Sequence, residues 1–203
     1  MKANECKSNS ALGFLTVLDY PEYGLFGGYL VLNALGRPLE FHCTAPIRPN
    51  RAQQILYGPT LEPYLFGEQI GCALVAAAKT APRLVFTDRV PALALRQFVE
   101  MPVVLVLSGE SEPGQGAAQT PEAAQISEVS NCGSAALRLD TPHAVARHVA
   151  AFQLGRNRLA LPLAAADDQQ EVTVRLADLP ESFDLAEPFE RIREAIEEAR
   201  RGG

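Results

Sequence analysis

The chain has 203 residues, a formal net charge of −6, 47% hydrophobic and 21% charged residues. That length buries a sizeable core without staples, and the balance of apolar and charged residues excludes a wholly disordered chain. An acidic sum argues against counterion-releasing affinity for a phosphate backbone, so no nucleic-acid partner is expected. The polar start MKANECKSNS lacks an apolar leader segment, and no membrane span or membrane partner is expected. Four cysteines without a CxxC pair suit a reducing compartment, with the cytoplasm as default.

Residues 1–10 read as a disordered start. Leu12 to Leu18 is rich in apolar and β-favouring residues and predicts a strand. Gly24, Gly27 and Gly28 surround the next turn and strand start and predict a bend or bulge. Gly28 to Ile47 alternates on both arms around Asn33-Ala-Leu-Gly36 and predicts a β-hairpin. Its second arm would place Leu39, Phe41 and Cys43 on an apolar face, with Glu40 and His42 on a polar one. Asn50 is an N-cap for a helix over Arg51 to Tyr57, and Gly58-Pro59 ends it.

Thr60 then opens a helix to about Lys79 whose glycines and alanines leave one side bare for close approach to a sheet. Leu84 to Thr87, a helix capped by Asp88 to about Glu100, and the apolar Val103 to Leu107 predict a parallel crossover. Gly109 to Gln125 is Gly- and Pro-broken and reads as a linker or long loop. Ala135 to Leu139 is expected to be a strand. Thr141-Pro142 starts a helix through His148 to Gly155, and Leu159 to Leu163 and Val172 to Leu176 form two strands. The last helix carries Leu185, Phe189, Ile192 and Ile196 on one stripe after an Asp184 to Glu187 capping box.

The expected fold is α+β: an N-terminal antiparallel meander extended by a βαβ unit into a mixed sheet with helices over 11–108, then a smaller α+β part over 126–203 ending in an amphipathic helix and packed on the first. From Phe26 to Leu107 the order strand, strand, helix, strand, helix, strand is similar to the core order of the cytidine-deaminase-like fold. That family's zinc signature, H-x-E before P-C-x-x-C, is absent: the second helix reads VPALALRQFVE, so deaminase chemistry is not implied.

Glu40 and His42 lie two apart on one strand and share a face, which makes them the catalytic candidates, with His42 the candidate metal ligand. A solvent-facing polar side explains the same spacing. Tyr57, Tyr64 and Glu68 would line a cleft against them. Cys43 and Cys72 would face each other across the core as inert thiols. Arg147, Arg156 and Arg158 with His148 form a basic group that a solvated helix end explains equally well. Ser134 lacks a G-x-S-x-G elbow, and the terminal Gly202-Gly203 follows a helix, where glycine is a common cap. No cofactor is expected. Without a convergent nucleophile and base, the sequence favours a non-catalytic protein-binding or structural module whose partner is another protein or a second copy of the chain. The alternative is a metal-assisted hydrolase- or deaminase-like enzyme with a cleft around Glu40 and His42.

Overall fold

A computed structural model describes residues 11–107, 135–139, 147–180 and 182–201. The expected disordered start, the linker and Gly202-Gly203 lie outside them. Its elements are β1 (Leu12–Tyr20), β2 (Gly24–Leu32), β3 (Pro38–Cys43), α1 (Arg51–Tyr57), α2 (Leu61–Pro63), a π-helical stretch Tyr64–Gly71, α3 (Cys72–Ala77), β4 (Leu84–Thr87), a 3-10 segment Val90–Gln97, β5 (Val103–Leu107), β6 (Ala135–Leu139), β7 (Arg147–Leu154), β8 (Asn157–Pro162), α4 (Asp168–Leu176) and α5 (Glu187–Arg201). The fold is mixed α+β, a meander extended through a parallel crossover, with an amphipathic helix last.

One sheet runs in the order β3-β2-β1-β4-β5-β8-β7-β6. β1 pairs antiparallel with β2 and parallel with β4, and β4 pairs parallel with β5. The β2–β3 turn is held by Asn33, whose Oδ1 accepts from the N–H of Leu35 at 2.9 Å and of Arg37 at 3.0 Å. Gly36 follows at φ +74°, a conformation that costs glycine little.

Both sheet faces are covered. Leu15, Val17, Tyr29, Val31 and Leu105 pack under the helical run 61–77 and the 3-10 segment. Leu12, Phe14, Leu30, Phe86 and Leu159 pack under α4 and α5. Gly27 and Gly28 sit in regular β2 pairing, contrary to the expected bend or bulge there; the register shift falls at Val31/Leu32. Their small size serves packing instead. A Cβ on Gly27 would meet Ile70 and Leu74, and one on Gly28 would meet Ile192 and Ile196, one helix layer on each face.

Three further expectations are corrected. The helix expected after Thr141-Pro142 is strand β7 from Arg147, paired with β6 and β8. Val149 to Phe152 is a continuous apolar run of the kind a strand covered on both faces carries, and residues 140–146 lie outside the described residues. Val172 to Leu176, expected as a strand, lies in α4, where Val172 and Leu176 are buried at i and i+4 on one helical face. The second crossover element is 3-10 rather than α, begins after Arg89, and takes no side-chain cap from Asp88. Asp88 instead pairs with Arg193 of α5. Among the described residues, no helix is long and apolar enough to cross a membrane.

Candidate functional site

A broad concavity is built where α1, the π-helical stretch, the 3-10 segment and the start of α4 meet. Asn50 fixes the first wall: its Oδ1 accepts from the N–H of Gln53 at 2.8 Å, and its own N–H donates to Gln53 Oε1 at 3.0 Å, a full capping box. That places Tyr57 at the end of α1. Gly58, at φ +47°, reverses the chain, and the Thr60 hydroxyl donates to the Tyr57 carbonyl at 2.8 Å. Tyr64 therefore returns onto Tyr57, with ring centroids 4.2 Å apart and planes 27° apart.

Tyr64 opens the π-helical stretch, a helical irregularity that is common at working sites. Gln69 Nε2 donates to Tyr64 Oη at 2.6 Å. The Tyr57 hydroxyl is pushed above the usual tyrosine range, first by its hydrogen bond to Tyr64, then by burial and by the charges of Tyr64 and Glu68. Cys72, one helical turn beyond Glu68, is raised by burial and then by that carboxylate.

The opposite wall is fastened by an ion pair. Arg96 Nε donates to Asp168 Oδ2 at 2.6 Å and Nη2 to Oδ1 at 3.2 Å, while Nη1 donates to the Val99 carbonyl at 3.0 Å. The fork is bidentate and joins the 3-10 segment to the first turn of α4. The Asp168 hydrogen bond holds the guanidinium above its usual range, against the opposing effect of burial. The cleft so enclosed is about 890 Å³, within the range of small-molecule sites, and Leu93, Phe98, Val149, Pro162 and Leu163 give it an apolar lining. Glu68 and Asp167 complete its polar groups. A second concavity of about 490 Å³ lies over Ala166 to Val174 and is bounded by that segment alone, so no groups from separate elements converge there.

Tyr57, Tyr64 and Glu68 thus meet in a cleft, as their positions suggest, but Glu40 and His42 do not line it. Those two sit on edge strand β3, opposite Val31 and Tyr29, on the helix-covered face. Both are half-buried, whereas Leu39, Phe41 and Cys43 are exposed, the reverse of the expected arrangement. The cause is polar. The backbone beyond α3 needs an acceptor, and Glu40 supplies it, accepting from the N–H of Lys79 at 2.8 Å, from the N–H of Thr80 at 2.6 Å and from the Thr80 hydroxyl. His42 Nε2 lies 3.1 Å from Glu40 Oε2.

These donors, the Thr80 hydroxyl first, then Lys79 and His42, hold the Glu40 carboxyl at about 2 against an ordinary 4.5. The depressed pKa makes the folded state bind this proton less tightly than the unfolded chain. The stabilisation is complete above pH 4.5 and is lost as pH falls through 2. Glu40→Gln is expected to flatten the pH dependence of Tm across that window, measured by circular dichroism melts. Equal slopes for variant and wild type would contradict the assignment.

The remaining sequence candidates separate. Cys43 pairs with Gly28, whose Cβ direction points to α5, while Cys72 packs on the other layer, so the two cysteines lie on opposite sheet faces. Arg156 is matched by Asp184 at 3.4 Å. In the backbone register of β6 and β7, position 148 lies opposite position 138. Ser134 lies outside the described residues. Among the described residues, no group of three or more His, Cys, Asp or Glu side chains could hold a metal ion. The Arg96–Asp168 pair, 72 positions apart, had no local sequence signal.

No protein-family model and no curated protein matches the chain. Solved structures similar to it include Ciona intestinalis endonuclease V in complex with a 23mer DNA containing an inosine followed by a ribo-adenosine, 12% identical, with TM-score 0.42 over 94% of this chain and 86% of that one. Human ENDOV is 13% identical, with TM-score 0.41 over 95% of this chain and 86% of that one. Both neighbours are enzymes by name, and one is held with DNA. The expectations of a non-catalytic protein-binding or structural module and of no nucleic-acid partner are corrected on that finding. The physical weakness of both expectations is plain: net charge is a sum over the whole surface, and catalytic groups converge in space rather than in sequence. At TM-scores of 0.42 and 0.41 the likeness transfers no chemistry, which has to come from this chain's own residues.

Proposed function

We propose that the chain is an enzyme that takes a small organic substrate into the Tyr57–Asp168 cleft. The observation that carries this reading is convergence: Tyr64, Glu68, Arg96, Asp167 and Asp168, from separate segments, face one apolar-lined concavity of about 890 Å³. The apolar walls hold the substrate's body, and the few polar groups orient it. Asp168 is committed to Arg96, so Glu68 and Asp167 are the carboxylates free to exchange protons. Tyr64 accepts from Gln69, which fixes its hydroxyl beside them. General acid–base chemistry is the class this set supports, since the described residues that line the cleft include carboxylates and tyrosines and neither serine nor cysteine.

The test is turnover of a mixed metabolite extract, followed by mass spectrometry. Wild-type protein is expected to deplete at least one mass. Ala164→Trp, which fills the cleft from an exposed wall position, and the double variant Glu68→Gln with Asp167→Asn are expected to lose that turnover at least ~10-fold, the low end of the ~10²–10⁴ typical for acid–base groups discounted for partial sharing. Equal turnover by Ala164→Trp would refute the site.

A second reading is favoured by the 3.1 Å Glu40–His42 contact, in which a carboxylate held ionised orients an imidazole base. The same assay separates the two. Under the second reading His42→Ala abolishes turnover and Ala164→Trp leaves it intact.

A further inference from the structure

Resting on the cleft as the working site, we infer that its ligand is an organic cation: an ammonium or guanidinium group on an apolar body. Two independent features point the same way. The first is charge. Of the four ionised side chains lining the cleft, Arg96 and Asp168 neutralise each other in a bidentate pair, which leaves Glu68 and Asp167 and a local charge of −2. Neither of these carboxylates has an ion-pair partner among the described residues. An anionic ligand would enter against both, and a neutral one would gain at most a hydrogen bond from them.

The second is aromatic. Tyr57 and Tyr64 form a stacked pair on one wall, and Phe98 stands half-exposed on the other. Aromatic faces carry negative quadrupole density and attract cations, ammonium and guanidinium groups above all. The stacked tyrosines are rigid in place, since Tyr64 is tied to Gln69 and the turn before it is fixed by Thr60. Exposed Leu163, which lines the same cleft as Phe98, gives the ligand's hydrocarbon part a surface to cover. Apolar body and cationic head are therefore both matched.

Three probes of nearly equal size test this with the full-length chain: phenethyltrimethylammonium, phenethyl alcohol and 3-phenylpropionate, titrated by protein-observed NMR. The cation is expected to bind at least ~10-fold tighter than the alcohol, and the carboxylate weakest. Glu68→Gln and Asp167→Asn are each expected to weaken the cation several-fold and leave the alcohol unchanged. Added salt should weaken the cation selectively. Equal affinities, tighter binding of the carboxylate, or no binding of the cation overturns the inference. Ala164→Trp separates this failure from failure of the site: if it blocks the alcohol or the carboxylate, the cleft stands and only the cation preference falls. If it blocks no probe, the cleft itself is excluded.

Discussion

Phe189→Ala is expected to destabilise the fold by about 3–5 kcal/mol, the range for emptying a large aromatic site in a close-packed core. Phe189 is 1% exposed on α5, and its ring meets Phe14 edge-on at 5.7 Å, while Phe14 stacks on Phe86 at 5.2 Å. The loss would be felt across β1, β4 and α5 at once. Gly28 adds to the tightness, since the helix lies so close that Ile192 and Ile196 occupy the space of a side chain there. Urea denaturation followed by far-UV circular dichroism measures the change. A midpoint within error of wild type would mean that α5 is not docked as described.

Gly67→Ala is expected to cost about 2 kcal/mol net, with the overpacking penalty exceeding the ~1 kcal/mol that alanine gains over glycine in a helix. The added Cβ would stand 2.7 Å from the Leu95 backbone nitrogen and 2.9 Å from the Ala94 carbonyl carbon, and backbone cannot swing aside. Gly71→Ala is the control. Its Cβ would stand 3.0 Å from the Phe66 carbonyl oxygen and 3.2 Å from Leu95 Cδ1, tight contacts that a few tenths of an ångström relieve, so its change should be smaller than at Gly67. Gly67 also sets the separation of the cleft walls, because it presses the π-helical stretch onto the segment that carries Arg96. The variant should therefore weaken cleft ligands beyond its effect on stability. Equal melting shifts for the two variants would contradict this account of the glycine.

Much of the architecture was legible from local chemistry. Asn33 and Gly36 specify the β2–β3 turn, Asn50 specifies the start of α1, and the Leu185, Phe189, Ile192, Ile196 stripe specifies how α5 docks. The failures share a cause: each segment's state was decided by a partner outside its own sequence window. Arg147 to Leu154 is a strand because β6 and β8 flank it, although Val149 and Phe152 also satisfy a helical spacing. Val172 and Leu176 satisfy both periods too, and the face of the sheet left bare selects the helix. Gly27 and Gly28 looked like a bend because packing against two helix layers leaves no trace in their neighbours' sequence.

The site was half legible. Tyr57, Tyr64 and Glu68 were grouped because they sit in or near the first helices, and the reversal at Gly58 is what brings the two rings together. Placing them against Glu40 and His42 failed, since the acceptor need beyond α3 drew Glu40 to Lys79 and Thr80 instead. The other wall, Arg96 with Asp168, exists only once α4 is folded onto the 3-10 segment.

We propose that the Tyr57–Asp168 cleft is where this protein meets its ligand. The most direct measurement is a fragment screen read by protein-observed NMR, with shift changes mapped residue by residue. Changes gathered on residues 57–68, 93–98 and 162–168, and lost in Ala164→Trp, are the expected result. Changes gathered around Glu40 and His42, or spread over the surface and unaffected by Ala164→Trp, would contradict it.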